Sequence, residues 1–293
     1  MSRLINAHLS ERICGVHKEF LEHSFLSEIL EDTIPVPFFG NYTDSSIATL
    51  SINPSSKEFY AQYKEGAKTL LRGDRKRLVN LSEDFGLHPD FFRLGNYIEN
   101  SQITESIHES LLGYFSSSNS NWNQEWFRYP ELALNLGLNA SYLDSPSRRT
   151  AFHLDLSPWT TKAWAELDDS IQKNLLDENR AFLTEFIAEC NLSYLLVLGT
   201  TTFQELEKLV KTIEGASIQN KSDNGDTREP FGPKFECKSL TIGSSKIVLY
   251  FISFSPSARK STAKYSKRTN KVDLEYFFEQ FGDFIAAQER KGS

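Results

Sequence analysis

From Tyr194 to Leu198 the chain reads YLLVL, passes through Gly199-Thr200-Thr201, and continues as TFQELEKLVKTI from Thr202 to Ile213. A short, continuously apolar run followed by a helical pattern is the signature of a buried parallel strand feeding a covering helix. Three other runs share its character: Ile47–Ile52 (IATLSI), Ala151–Leu156 (AFHLDL) and Ile247–Phe254 (IVLYFISF). Helical spacing returns between and after them. Lys162–Cys190 carries Trp164, Leu167, Ile171 and Leu175, then Phe182 and Phe186. Leu274–Gln288 carries Phe277, Phe281 and Phe284 about a turn apart. Strands alternating with helices predict an α/β fold of three layers, α/β/α, around a central four-stranded parallel sheet.

The remaining segments organise around that frame. Residues 1–34 read as N-terminal helices packed outside, and about 60–145 as a mainly helical insertion. Ser116–Asn123 (SSSNSNWN) and residues 220–234 read as surface loops rich in turn formers. No hinge divides the chain, so one domain over residues 1–293 is expected, as a monomer. The chain has 293 residues, enough for one large α/β domain, and 39% of them are hydrophobic, which excludes wholesale disorder. No apolar run approaches the length of a spanning helix, and the opening MSRLINAHLSERICG has no signal-peptide core. A cytoplasmic location without membrane contact is the expectation. Cys14, Cys190 and Cys237 are scattered and odd in number, so they suit neither a disulfide framework nor a Cys-x-x-Cys metal site.

The absent motifs narrow the function. There is no Gly-x-x-x-x-Gly-Lys phosphate loop, no Gly-x-Gly-x-x-Gly and no Gly-x-Ser-x-Gly. Nucleotide kinases, nicotinamide enzymes and α/β-hydrolases recede accordingly. The polar residues gather instead at the carboxyl ends of the predicted strands, where open α/β sheets place their sites. The first strand ends in Ser51-Ile52-Asn53-Pro54-Ser55-Ser56, and Asn-Pro makes a rigid turn. The second ends in His153-Leu154-Asp155-Leu156-Ser157-Pro158-Trp159, with an acid inside a strand, where it is costly unless hydrogen-bonded or at the mouth of a pocket. The fourth ends in Ser255-Pro256-Ser257-Ala258-Arg259-Lys260-Ser261.

Taken in order, these pieces resemble the uracil-DNA glycosylase superfamily over about residues 35–262. Pro35–Asn41 with IATLSINPSSKEF resembles its first motif, a strand running into Gly-x-Asn-Pro or Gly-x-Asp-Pro. Ser255–Arg259 resembles its second motif, His-Pro-Ser-Pro-Leu or Asn-Pro-Ser-Gly-Leu, and His153–Trp159 stands where the family has its base-reading strand. The resemblance implies a glycosylase fold, DNA as partner, and no metal or organic cofactor. Some relatives carry an iron–sulfur cluster on four cysteines, for which three scattered cysteines are unsuited. It also implies roles. Asn53 holds the attacking water, Asp155 reads the base and Ser255 opens the second motif. Ser51, Ile52, Pro54, Phe59, His153 and Trp159 surround the base. Ser55, Ser257, Arg259, Lys260, Ser261 and Lys264 contact the DNA backbone or fill the stack.

Two departures from the family pattern carry chemistry. At position 155 relatives use Asn, whose amide pairs with uracil; a carboxylate only accepts hydrogen bonds, so it suits an exocyclic amine such as N4–H₂ of cytosine. A modified cytosine, for instance of phage DNA, is then the expected target. Ser255 replaces a His or Asn and offers one weaker donor. Beside it, Arg259, Lys260, Lys264, Lys267, Arg268 and Lys271 form a cationic run in a chain of net charge −7, as a polyanion partner requires. A non-catalytic binding module of the same fold and a small-molecule nucleoside hydrolase are the alternative readings.

Overall fold

The computed structural model describes residues 25–64, 67–96, 98, 100–115, 127–220, 235–253 and 274–292. The chain divides into two compact units. One is formed by Met1–Thr43, Ile52–Ser120 and Leu154–Glu189, the other by Asp44–Ser51, Asn121–His153 and Cys190–Ser293.

The second unit holds the sheet. Strand β2 (Ile47–Ser51) pairs in parallel with β7 (Tyr194–Leu198), and β7 pairs in parallel with β10 (Ser245–Ile252). These are the sequences with continuous apolar runs, and most of their residues are buried, as expected for strands covered on both faces. Strand β6 (Arg149–Asp155) lies on the other side of β2, with the short β5 (Ala140–Ser141) parallel to it. On the far edge, β9 (Phe235–Ile242) turns back antiparallel on β10, and β8 (Ser217–Asn220) pairs antiparallel with β9. Helix α5 (Thr200–Lys211) follows β7 directly. Gly199 makes that junction at φ +96°, a conformation that side-chain-bearing residues rarely adopt. Phe203, Leu206, Leu209 and Val210 form the buried stripe of α5, and Phe203 stacks on Phe251 at 4.5 Å. Helix α3 (Arg128–Ala133) runs into a π-helical turn at Leu134–Leu138, on which helix α6 (Leu274–Gly292) packs. A Cβ on Gly282 would stand 2.5 Å from the Leu136 carbonyl oxygen, so this contact requires glycine.

The first unit includes the last two residues of β6, Leu154 and Asp155. Strand β1 (Phe38–Phe39) pairs beside it, and the Asp155 N–H donates to Pro37 O at 3.4 Å. The hairpin β3 (Tyr60–Lys64) and β4 (Ala67–Leu70) follows. Helix α1 (Leu81–Phe85) is capped by Asn80 and α2 (Ser101–Leu112) by Asn100, whose side-chain oxygens accept from backbone N–H groups of the first turn. Helix α4 (Asp169–Glu189) buries Leu175, Phe182, Leu183, Phe186 and Ile187, and Phe186 stacks on Phe38 at 5.8 Å. Each such ring contributes roughly 1.5–3 kcal/mol by leaving water.

The four predicted strands all exist, but among the described residues the sheet has eight strands, not four, and one edge is antiparallel. Strand β9 gives no continuous apolar run because its burial alternates; β1 and β5 are two residues each. The segment 60–145 opens with a β-hairpin before its helices. No helix among the described residues is long and apolar enough to cross a membrane.

Candidate functional site

Asn53 ends the strand-to-turn passage after β2 within the first unit, and the turn is stitched to the segment after β6. Ser157 N–H donates to Ile52 O at 2.9 Å. The Asn53 amide group donates to Thr161 Oγ1 at 3.2 Å and to the Trp159 and Pro54 carbonyl oxygens, each at 3.4 Å. The amide nitrogen is thereby fixed, and Oδ1 accepts no hydrogen bond from any of the described residues. A half-buried Asn in this state offers one acceptor to water or ligand. The loop beyond is pinned from another side: Val36 N–H donates to Pro158 O at 2.7 Å and Leu30 N–H to Thr160 O at 2.9 Å.

Asp155 lies 1% exposed at the end of β6. Its carbonyl oxygen, with that of Leu156, accepts from the amide of Asn179, which sits buried inside α4. Trp159 is wholly enclosed. Its ring meets Phe92 edge-on at 5.3 Å, and its indole N–H donates to Glu178 Oε2 at 3.2 Å. Phe59 and Pro54 are buried, and Ile52 is half-buried. Ser55 is exposed and caps the 3₁₀ turn Ser56–Glu58, its hydroxyl accepting from Lys57 N–H at 3.3 Å. The structure thus brings Ile52, Asn53 and Pro54 together with the Asp155–Thr161 segment.

Ser51 and His153, expected to contact a base, belong to the second unit and to a network of their own. Ser51 Oγ lies 3.0 Å from His153 Nε2, and Thr49 Oγ1 lies 2.6 Å from Nδ1. Ser255, Ser257, Arg259, Lys260, Ser261 and Lys264 lie outside the described residues.

One cluster had no counterpart in the sequence reading. Glu58, on the 3₁₀ turn five residues past Asn53, is 3% exposed and accepts a hydrogen bond from the Tyr114 hydroxyl, with Arg77 Nη1 at 3.5 Å from the same oxygen. Burial pushes the Glu58 carboxyl above the usual carboxylate range. Arg77 and Tyr114 oppose that rise, and the charge of Asp155 adds to it. Burial likewise holds the Tyr114 phenol well above its ordinary value. Nothing local announces this cluster: Arg77 stands in the basic run Arg72, Arg75, Lys76 and Arg77, and Tyr114 is 56 residues from Glu58. That run is engaged by the protein's own acids, Arg72 by Glu83 at 2.6 Å and Lys76 by Asp84.

Among the described residues, no group of three or more His, Cys, Asp or Glu is arranged to hold a metal ion. No protein family model matches the chain, and no curated protein matches its sequence.

Proposed function

We propose that this chain hydrolyses the N-glycosidic bond of a base extruded from DNA, with a cytosine-type and chemically modified base preferred over uracil, on a fold of the uracil-DNA glycosylase type. The observation that carries the reading is the state of Asn53. Its amide nitrogen is tied to the Trp159–Thr161 segment while Oδ1 has no partner among the described residues. That is the arrangement for an acceptor that orients a water molecule without acting as a strong base. In the reaction the water oxygen bonds to the sugar C1′ as the bond from C1′ to the base nitrogen breaks. The departing base takes the electron pair, and the water proton is released.

Positioning and stabilisation of the leaving base supply most of the rate in such a site. Extrusion of the base costs on the order of a few kcal/mol, which contacts to the flipped nucleotide offset. The Asp155 carboxylate suits an exocyclic amine, and backbone amides at Asn53–Ser55 suit the base oxygen. Ser55, exposed at its turn, suits a contact with the DNA backbone, the role that the resemblance also gives to Ser257, Arg259, Lys260, Ser261 and Lys264. The resemblance assigns Ser255 the role of donor to the leaving base, and Phe59 and Trp159 are the buried aromatic residues offered for the base.

The test is incubation of the full chain with duplex and single-stranded DNAs carrying uracil, cytosine, hydroxymethylcytosine and glucosylated hydroxymethylcytosine, followed by mass spectrometry of released bases. Release of a cytosine-type base with an alkali-labile abasic site supports the reading. Preferential release of uracil overturns the base assignment. Stoichiometric retention of DNA with no abasic product makes the chain a binding module.

A further inference from the structure

In the second unit, one buried hydrogen-bonded chain of side chains has a single member within reach of solvent. Tyr142 bonds to the Thr49 hydroxyl, Thr49 Oγ1 lies 2.6 Å from His153 Nδ1, and His153 Nε2 lies 3.0 Å from Ser51 Oγ. Thr49 and Ser51 are two apart on β2, so they present to the same face of the sheet; His153 comes from β6, the neighbouring strand. Thr49, His153 and Tyr142 are buried, and Ser51, at the carboxyl end of β2, is half-buried. Phe127 meets the rings of Tyr142 and His153 edge-on, at 5.6 and 5.0 Å. The imidazole is therefore held at both nitrogens and against one aromatic edge.

The tautomer that donates from Nδ1–H to Thr49 Oγ1 leaves Nε2 as the acceptor of the Ser51 hydroxyl proton. A hydroxyl on a base whose far nitrogen is oriented by a third group is the general arrangement for nucleophilic catalysis. We propose that Ser51 is an activated nucleophile, with His153 as its base and Thr49 as the residue that positions the imidazole, suited to the carbonyl of a carboxylic ester. Ser51 Oγ bonds to the carbonyl carbon as its proton passes to Nε2. The leaving alcohol oxygen takes that proton as its bond to carbon breaks. Water then attacks the acyl group on Ser51, gives its proton to Nε2, and the acid departs as the serine hydroxyl is restored. This activity is separate from base excision and needs no DNA, so it stands or falls independently.

The experiment treats the full chain, without DNA, with an alkyl fluorophosphonate. This probe phosphonylates an activated serine and releases fluoride. The expected result is one adduct, mapped by peptide mass spectrometry to Ser51 and absent from Ser51→Ala. Its rate of formation falls at least about 100-fold in His153→Gln, the scale of a lost general base. Thr49→Val keeps the shape of the side chain and removes the hydroxyl behind the imidazole, so it slows labelling, while Thr49→Ser restores it. The wild-type map needs no variant: absence of an adduct at Ser51 overturns the proposal. So does labelling of Ser51 at an unchanged rate in His153→Gln or Thr49→Val.

Discussion

Each unit encloses a buried polar cluster, and these two are built from opposite materials. The first holds Glu58 between Arg77 and Tyr114, a formal ion pair out of water. The second holds Tyr142, Thr49, His153 and Ser51, hydroxyls and an imidazole joined end to end. A buried ion pair is rigid in its demands, because removing either charge leaves the other uncompensated. A chain of hydroxyls and imidazole can reverse its donors and acceptors without burying a charge. The first arrangement suits the underpinning of a turn, and Glu58 sits on the turn that follows Asn53. The second suits movement of a proton.

The contrast is broken most forcefully at Arg77. Arg77→Met strands the Glu58 carboxylate and should cost about 3–5 kcal/mol in urea denaturation at neutral pH. The cost shrinks in acid. The Glu58 carboxyl is raised in the folded state, and more so without Arg77. Its protonated form is thus favoured by folding, and the associated stability is present at low pH and lost as pH rises through the folded value. A loss of the same size at pH 5 and pH 8 would mean that Glu58 is not the group being stranded. Thr49→Val is the corresponding change in the neutral cluster. It should cost about 1–3 kcal/mol in the same urea denaturation, the scale of a buried polar group deprived of its partner. Tyr114→Phe removes one donor to Glu58 but keeps Arg77, so about 1–2 kcal/mol is expected from thermal unfolding monitored by circular dichroism. Ser55→Ala loses only the cap of a three-residue turn. A change of about 0.5 kcal/mol or less is expected in the same measurement, with DNA affinity as the larger effect.

The sheet and the two clusters differ in how far they could be read from sequence. YLLVL and its three sister runs announced β7, β2, β6 and β10, because continuous apolarity follows directly from burial on both faces. FECKSLTI did not announce β9, since its residues alternate between buried and half-buried positions and give no continuous apolar run. Asn53 was legible because Asn-Pro at a strand end is a local signal. Its ties to Trp159 and Thr161 were not, because the partners lie 106 and 108 positions away. Glu58 was hidden for the same reason, since Tyr114 lies 56 positions away and Arg77 19. His153 was legible only as a strand histidine; the two hydroxyls flanking it come from an adjacent strand about a hundred residues earlier.

The most direct test of the account is single-turnover base release by wild-type protein and by Asn53→Ala, on the DNA whose base the wild type removes fastest, with DNA affinity measured in parallel. A water-orienting Asn predicts a release rate at least about 100-fold lower in the variant and nearly unchanged DNA binding. Equal release by the two proteins, or no base released from any DNA by either, would contradict it.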